Sequence, residues 1–141
     1  MLKEGILLEL IPSKSKDGDI IQIEALDIKN NEIIKRLNIR YLAKNLDKKL
    51  IDMISYDKDD HIYLDSTKSM LKALKDFAGD KTIYVMDNTY TKDYLKGFNT
   101  SFIEEFLGEE KDNFLERMIK KYNIEPTNYI VDILYESIIL K

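Results

Sequence analysis

The pattern of apolar and polar residues predicts strands in the first part of the chain. Ile6–Ile11 is an apolar run interrupted only by Glu9, which is typical of a strand buried on both faces. Residues 20–28 alternate between two faces, and residues 33–41 form a third run. A tight turn is predicted at residues 29–31, because asparagine tolerates positive φ. The pattern therefore predicts an antiparallel meander of three strands.

The second part of the chain has the helical period instead. Its first helix has the apolar stripe Met70, Leu71, Leu74 and Phe77, follows a cap at Asp65 or Ser66, and ends at Gly79. The later predicted elements are a buried strand over Thr82–Met86, a helix over Lys92–Phe106 broken at residues 97–99, an amphipathic helix over Phe114–Tyr122, and a last helix that begins at Pro126. Residues 42–64 are ambiguous, with a helix at Asn45–Ser55 and then an acidic loop as one interpretation.

The order of these elements, βββ-α-β-α-α-α, predicts an α/β sandwich with a mixed sheet in the middle. The fourth strand is expected to lie parallel to the first, because a helical crossover connects them. The sequence contains no repeat, linker or change of composition that would mark a second domain. Residues 1–141 are therefore predicted to form a single domain.

Composition limits the possible functions. The chain has 141 residues, of which 44% are apolar and 34% charged, enough for one core. It contains no cysteine, which excludes disulfides, thiol catalysis and zinc sites built on thiolates. A net charge of −4, with Arg36, Arg40 and Arg117 as the arginines, argues against tight binding to duplex nucleic acid. No apolar run is long enough to span a membrane, and the N-terminus lacks a signal-peptide core. A cytoplasmic protein is therefore expected. The abundance of Lys, Ile and Asn suggests an AT-rich bacterial genome.

Few residues are candidates for chemistry. Glu9 could be a metal ligand or a general base at the end of a central strand, although a strand end that meets solvent or a lysine is favoured. His61, the single histidine, lies in an acidic stretch and is expected in a solvated loop. Asp132 is expected on an exposed helical flank, and Asp87 follows the strand Thr82–Met86, where α/β sheets often hold their sites. With one histidine and no cysteine, a catalytic metal would have to be Mg²⁺ or Mn²⁺ on carboxylates.

Several segments together resemble a known family. They are Leu7–Glu9, Asp19–Ala25, Lys29–Ile33, Leu74–Asp80, Val85–Asn88, and Lys121–Pro126 followed by Asp132. In this order they resemble the DEDD-type 3′–5′ exonucleases, the proofreading branch of the ribonuclease H-like fold. The resemblance implies a three-layer sandwich: a mixed sheet with an antiparallel three-strand meander and a parallel fourth strand, and helices on both faces. The family's fifth strand is not visible in residues 98–111.

The resemblance also implies a catalytic site. In the family, four carboxylates hold two Mg²⁺ or Mn²⁺ ions, and a histidine or tyrosine activates water. The family's site positions fall here on Leu7, Glu9, Lys92, Thr127 and Asp132. Only Glu9 and Asp132 keep the family residue; Asp93 neighbours Lys92 but is rotated by about 100° around a helix. Lys92 is expected to pair with Glu9 and Asp132 and so replace the metals.

Three hypotheses follow. The leading one is a degenerate, inactive exonuclease-like module without a cofactor, which binds a protein partner or single-stranded nucleic acid; the acidic composition favours protein. The alternative is an active nuclease with a displaced site, in which Glu9, Asp93 and Asp132, together with Asp87, hold a single Mg²⁺ or Mn²⁺. The third is an unrelated α/β interaction protein, which a sheet without the first strand at its centre beside the fourth would establish.

Overall fold

The computed structural model describes residues 1–12, 19–41, 61–87, 89–126 and 129–141. Within these ranges the strands are β1 (Glu4–Pro12), β2 (Ile20–Lys29), β3 (Glu32–Tyr41), β4 (Ile62–Leu64), β5 (Ile83–Val85) and β6 (Thr100–Phe102). The helices are α1 (Thr67–Ala78), α2 (Thr89–Tyr94), α3 (Ile103–Leu107), α4 (Phe114–Tyr122) and α5 (Ile130–Leu140). None of these helices has the length and apolar character needed to cross a membrane.

The strands form one mixed sheet in the order β4-β3-β2-β1-β5-β6. β1, β2 and β3 pair antiparallel, which confirms the predicted meander. β5 pairs parallel with β1, and β6 pairs parallel with β5. The strand predicted over Thr82–Met86 therefore lies parallel to the first strand, as expected, and β1 lies between the meander and the parallel strands.

Alternate residues of β1 belong to two separate apolar clusters. Ile6, Leu8 and Leu10 pack with residues of α1 such as Met70 and Leu74. Leu7 packs instead with apolar residues of α3, α4 and α5. Successive side chains of a strand point to opposite faces, so β1 contributes to both clusters. This explains why its sequence is an almost continuous apolar run.

Local signals fix the ends of several elements. Asn30 and Asn31 have φ values of 51° and 64°, which confirms the predicted turn between β2 and β3. Ser66, one of the two predicted caps, begins α1 by accepting a hydrogen bond from the Ser69 N–H. At the other end, the Gly79 N–H donates to the Lys75 carbonyl.

Other boundaries differ from the predictions. The helix predicted over Lys92–Phe106 is interrupted, as expected at residues 97–99, but it consists of two short helices, α2 and α3, separated by a loop and by β6, a strand that the sequence did not predict. β6 has only three residues, too few to show a period of two. The last helix begins at Ile130 rather than at Pro126, which lies in a turn. The helix predicted at Asn45–Ser55 and most of the acidic stretch that follows it lie outside the described residues.

Candidate functional site

Glu9 is a largely buried carboxylic acid near the carboxyl end of β1. Its side chain lies on the same strand face as Leu7, two residues earlier. The backbone N–H of Ile130, the first residue of α5, donates a hydrogen bond to its carboxylate. Burial raises the pKa of Glu9 from 4.5 to about 7, and the Ile130 hydrogen bond offsets only part of this rise. A substantial fraction of Glu9 is therefore protonated at neutral pH.

Glu24 lies directly opposite Glu9 in the β1–β2 register and is fully buried. Its Oε1 is 2.7 Å from Nε2 of His61, whose side chain is also fully buried. Burial, together with the neighbouring charge of Glu9, raises the pKa of Glu24 from 4.5 to about 8. The contact with His61 requires one proton between Oε1 and Nε2. The pair is thus a hydrogen bond inside the protein, and the prediction of a solvated loop at His61 is wrong.

Asp132 in the first turn of α5 binds Arg36 of β3. Arg36 donates from Nη1 to Oδ2 at 3.2 Å and from Nη2 to Oδ1 at 2.6 Å, so both carboxylate oxygens are engaged. This side-chain hydrogen bond raises the pKa of Arg36. The two side chains are 34% and 24% exposed, which places the pair at the margin of the buried region. Asp132 is therefore a structural partner of β3 and not a free residue on a helical flank.

These contacts belong to one polar cluster on the β2–β3 side of the sheet. The polar cluster consists of Gln22, Glu24, Arg36, Asn38, Arg40, His61 and Asp132. Arg40 donates from Nε to Gln22 Oε1 at 3.3 Å. With its amide nitrogen turned toward Glu24, Asn38 donates to Glu24 Oε2. The cluster connects β2, β3, α5 and the residue before β4.

A cleft lies at the carboxyl ends of the parallel strands β1 and β5. This β1–β5 cleft has a volume of about 240 Å³. It is lined by Leu8, Glu9, Leu10, Ile11, Pro12, Val85, Met86, Thr91 and Ile130. Glu9 is the one ionisable side chain among these residues, and most of the others are apolar. Adjacent parallel strands of α/β sheets often hold ligands at this position.

No protein-family model matches this chain, and neither does any curated protein.

Among the described residues, neither Leu7 nor Asp93 completes a metal site with Glu9 and Asp132. Leu7 is fully buried in the apolar cluster with α5. Asp93 is exposed on α2. Thr127, the position of the family's histidine, lies outside the described residues. In the described part of the chain, no group of three histidines, aspartates or glutamates is placed to hold a metal ion.

The predicted ion pair of Lys92 with Glu9 and Asp132 is wrong. Lys92 Nζ lies 3.4 Å from Asp87 Oδ1 and 4.6 Å from the centre of the Phe102 ring. Its side chain is 56% exposed, and its contacts lie at the end of β5 and the start of α3. The cation beside Asp132 is instead Arg36, which lies on β3.

The polar cluster was not predicted from the sequence, although a signal was present. Gln22 and Glu24 alternate along β2, and Arg36, Asn38 and Arg40 alternate along β3. In the β2–β3 register, Gln22 lies opposite Arg40 and Glu24 opposite Asn38. Matching polar positions on two paired strands indicate a polar face, and a helix over that face makes it buried. The contact with His61 depends on a residue 37 positions from Glu24, which local patterns do not reveal.

Proposed function

We propose that this chain is a degenerate, catalytically inactive exonuclease-like domain of the ribonuclease H-like fold, which acts as a binding module for a protein partner. The sheet order supports the fold assignment, because β1 lies between an antiparallel meander and two parallel strands. The two apolar clusters that share β1 support helices on both faces and thus three layers. The third hypothesis, an unrelated fold, required a sheet without this central position of β1.

The observation that carries the loss of catalysis is the Arg36–Asp132 pair. A divalent metal is attracted by carboxylates whose negative charge is not already balanced, and the guanidinium of Arg36, bound to both oxygens of Asp132, balances that charge. Leu7 supplies no donor atom and is part of the core. Burial favours the protonated form of Glu9, which is a poor metal ligand. These three positions do not fit the two-metal centre that the resemblance implies.

The binding role is assigned to the β1–β5 cleft. Its lining is mostly apolar, and an apolar side chain of a partner fits such a lining. A protein is favoured over single-stranded nucleic acid because the net charge of −4 repels phosphates. A cytoplasmic setting is part of the same proposal, and a chain without cysteine is compatible with a reducing compartment.

A nuclease assay tests the loss of catalysis. A single-stranded oligonucleotide with a fluorescent 5′ end is incubated with the protein and excess Mn²⁺ or Mg²⁺, and its length is measured. We expect the oligonucleotide to stay intact. Metal-dependent shortening that disappears in Glu9→Gln, and persists in the control Glu105→Gln on the exposed side of α3, would instead establish the displaced site of Glu9, Asp93 and Asp132.

A capture experiment tests the binding role. Tagged wild type is compared in its source cells with Ile11→Trp, which fills the β1–β5 cleft, and with Ile34→Trp, which adds the same side chain at an exposed position of β3. We expect a protein that cross-links to wild type and to Ile34→Trp but not to Ile11→Trp. Equal capture by all three proteins, or capture that a nuclease treatment abolishes, contradicts a protein-binding cleft.

A further inference from the structure

Glu104 of α3 has a buried carboxylate oxygen without a partner. The residue is 4% exposed. Its Oε2 accepts a hydrogen bond of 2.7 Å from the Asp87 N–H just after β5, whereas Oε1 has no hydrogen-bond partner in the described structure. An unsatisfied buried acceptor is costly, and natural proteins contain few of them. One oxygen of Glu104 thus links α3 to the end of β5, and the other has no hydrogen-bond partner among the described residues.

The unpartnered oxygen belongs to a residue that lines a second cleft, which we name the Glu104 cleft. Its volume is about 370 Å³. The lining consists of Met86, Asp87, Glu104, Lys111, Asn113, Phe114, Leu115 and Glu116. Met86 also lines the β1–β5 cleft, so the two clefts are neighbours. The Glu104 cleft is independent of the retained family positions Glu9 and Asp132.

The chemistry of the lining selects the class of ligand. Three carboxylates face one ammonium group in this lining, so an excess of negative charge favours a cation. Asp87 is already engaged by Lys92 at 3.4 Å and by Lys111 at 3.9 Å, and Glu116 is exposed to solvent. Glu104 is therefore the buried acceptor that needs a donor. Met86, Phe114 and Leu115 give the same cleft an apolar wall.

We propose that the Glu104 cleft binds a primary alkylammonium group, with the ammonium donating to Glu104 Oε1 and the alkyl stem lying on the apolar wall. Lysine side chains and free polyamines share this chemistry. An ammonium group fits better than a divalent metal, because the described carboxylates in the cleft are not grouped for metal coordination. An ammonium group would also supply a donor to Glu104 Oε1 without displacing the Asp87 N–H from Oε2.

The test is a titration of the full chain with n-butylammonium, followed by the amide NMR signal of Asp87. This N–H bonds to Glu104 Oε2, so a charge bound at Oε1 of the same carboxylate changes its chemical shift. We expect a saturable shift with n-butylammonium and none with n-butanol, which has the same stem without the charge. No saturable shift in wild type, an equal effect of n-butanol, or saturation of the same signal by Mg²⁺ or Ca²⁺ would overturn the proposal.

Glu104→Gln supplies the decisive variant. Its amide oxygen can still accept from Asp87 N–H, while its NH₂ group now faces the cleft as a donor. We expect n-butylammonium to bind at least about tenfold more weakly to it, and normally to the neighbouring exposed variant Glu105→Gln. Equal binding by wild type and Glu104→Gln contradicts the site. Two further titrations name the source: tighter binding of an N-acetyl-lysine amide indicates a protein ligand, and tighter binding of 1,4-diaminobutane indicates a polyamine.

Discussion

The Arg36–Asp132 pair at the margin of the polar cluster and Glu9 in the β1–β5 cleft are two carboxylate sites with different partners. Arg36 donates two hydrogen bonds to Asp132, so a guanidinium lies against this carboxylate. In the cleft, Glu9 has a backbone N–H as its partner, and burial shifts its pKa to about 7 so that it becomes partly neutral. Asp132 thus has a cation as its partner, whereas burial favours a proton on Glu9.

For the degenerate site that we propose, this difference gives two ways in which buried carboxylates can be compensated without metal ions. Buried carboxylates need compensation, and metal ions supply it in active enzymes of the family that the chain resembles. In this chain, the guanidinium of Arg36 compensates Asp132, and burial favours a proton on Glu9. The pKa of Glu9 predicts a dependence of stability on pH, to which Glu24 also contributes, whereas the Arg36–Asp132 pair should respond to the loss of a basic residue.

The largest effect is expected from Leu7→Asp, which places a carboxylate at the first site position that the resemblance implies. Leu7 is fully buried, so the variant loses apolar packing and buries a charge beside Glu9. We expect the free energy of unfolding in urea to fall by about 4 kcal/mol or more, and Mn²⁺ not to restore it. Leu7→Met is the control and should cost less than about 1.5 kcal/mol. Restoration of Leu7→Asp by Mn²⁺ would contradict the replacement of the metals.

The second effect is a dependence of stability on pH that Glu9 controls. The pKa of Glu9 is about 7 in the folded protein and 4.5 when unperturbed, so the folded state binds more protons between these values. The free energy of unfolding must then decrease as pH rises from about 4.5 to 7. At pH 8 we expect Glu9→Gln to be more stable than wild type by about 1–3 kcal/mol, with little difference at pH 5.

The control for this pH profile is Glu105→Gln, because Glu105 is exposed on α3. It should keep the slope of wild type between pH 5 and 8. Glu24, whose pKa is about 8, should leave some slope in Glu9→Gln. Identical pH profiles of wild type and Glu9→Gln would contradict a carboxyl group that burial keeps partly protonated.

The smallest effect is expected at the margin of the polar cluster. A double-mutant cycle of Arg36→Met and Asp132→Asn measures the coupling free energy of this pair from urea unfolding. We expect about 1 kcal/mol, since the geometry is bidentate but the side chains are partly exposed. The same cycle with Lys92→Met and Asp87→Asn should give less, because Lys92 is more exposed. A coupling free energy near zero for Arg36 and Asp132 would contradict the claim that Arg36 compensates the charge of this carboxylate.

The sheet was largely predictable from the sequence, and the site was not. Runs such as Ile6–Ile11 and the asparagine turn at residues 29–31 contain their own period and turn chemistry, so the meander follows from local rules. The position of Lys92 was misjudged, because a short helix gives little information about the direction of a side chain. The His61–Glu24 contact joins distant parts of the chain and depends on the tertiary structure. Local patterns thus predict elements, whereas compensation of buried charge is decided by packing.

Thermal unfolding of wild type with and without excess Mn²⁺ or Mg²⁺ tests the central claim most directly, namely that a guanidinium and a proton have replaced the metals. A metal that binds only the native state at a hundredfold excess over its dissociation constant adds about 2.7 kcal/mol to the free energy of unfolding. We predict no shift of the melting temperature with either metal. A clear increase with Mn²⁺ or Mg²⁺, abolished in Glu9→Gln, would contradict the account and indicate an intact metal site.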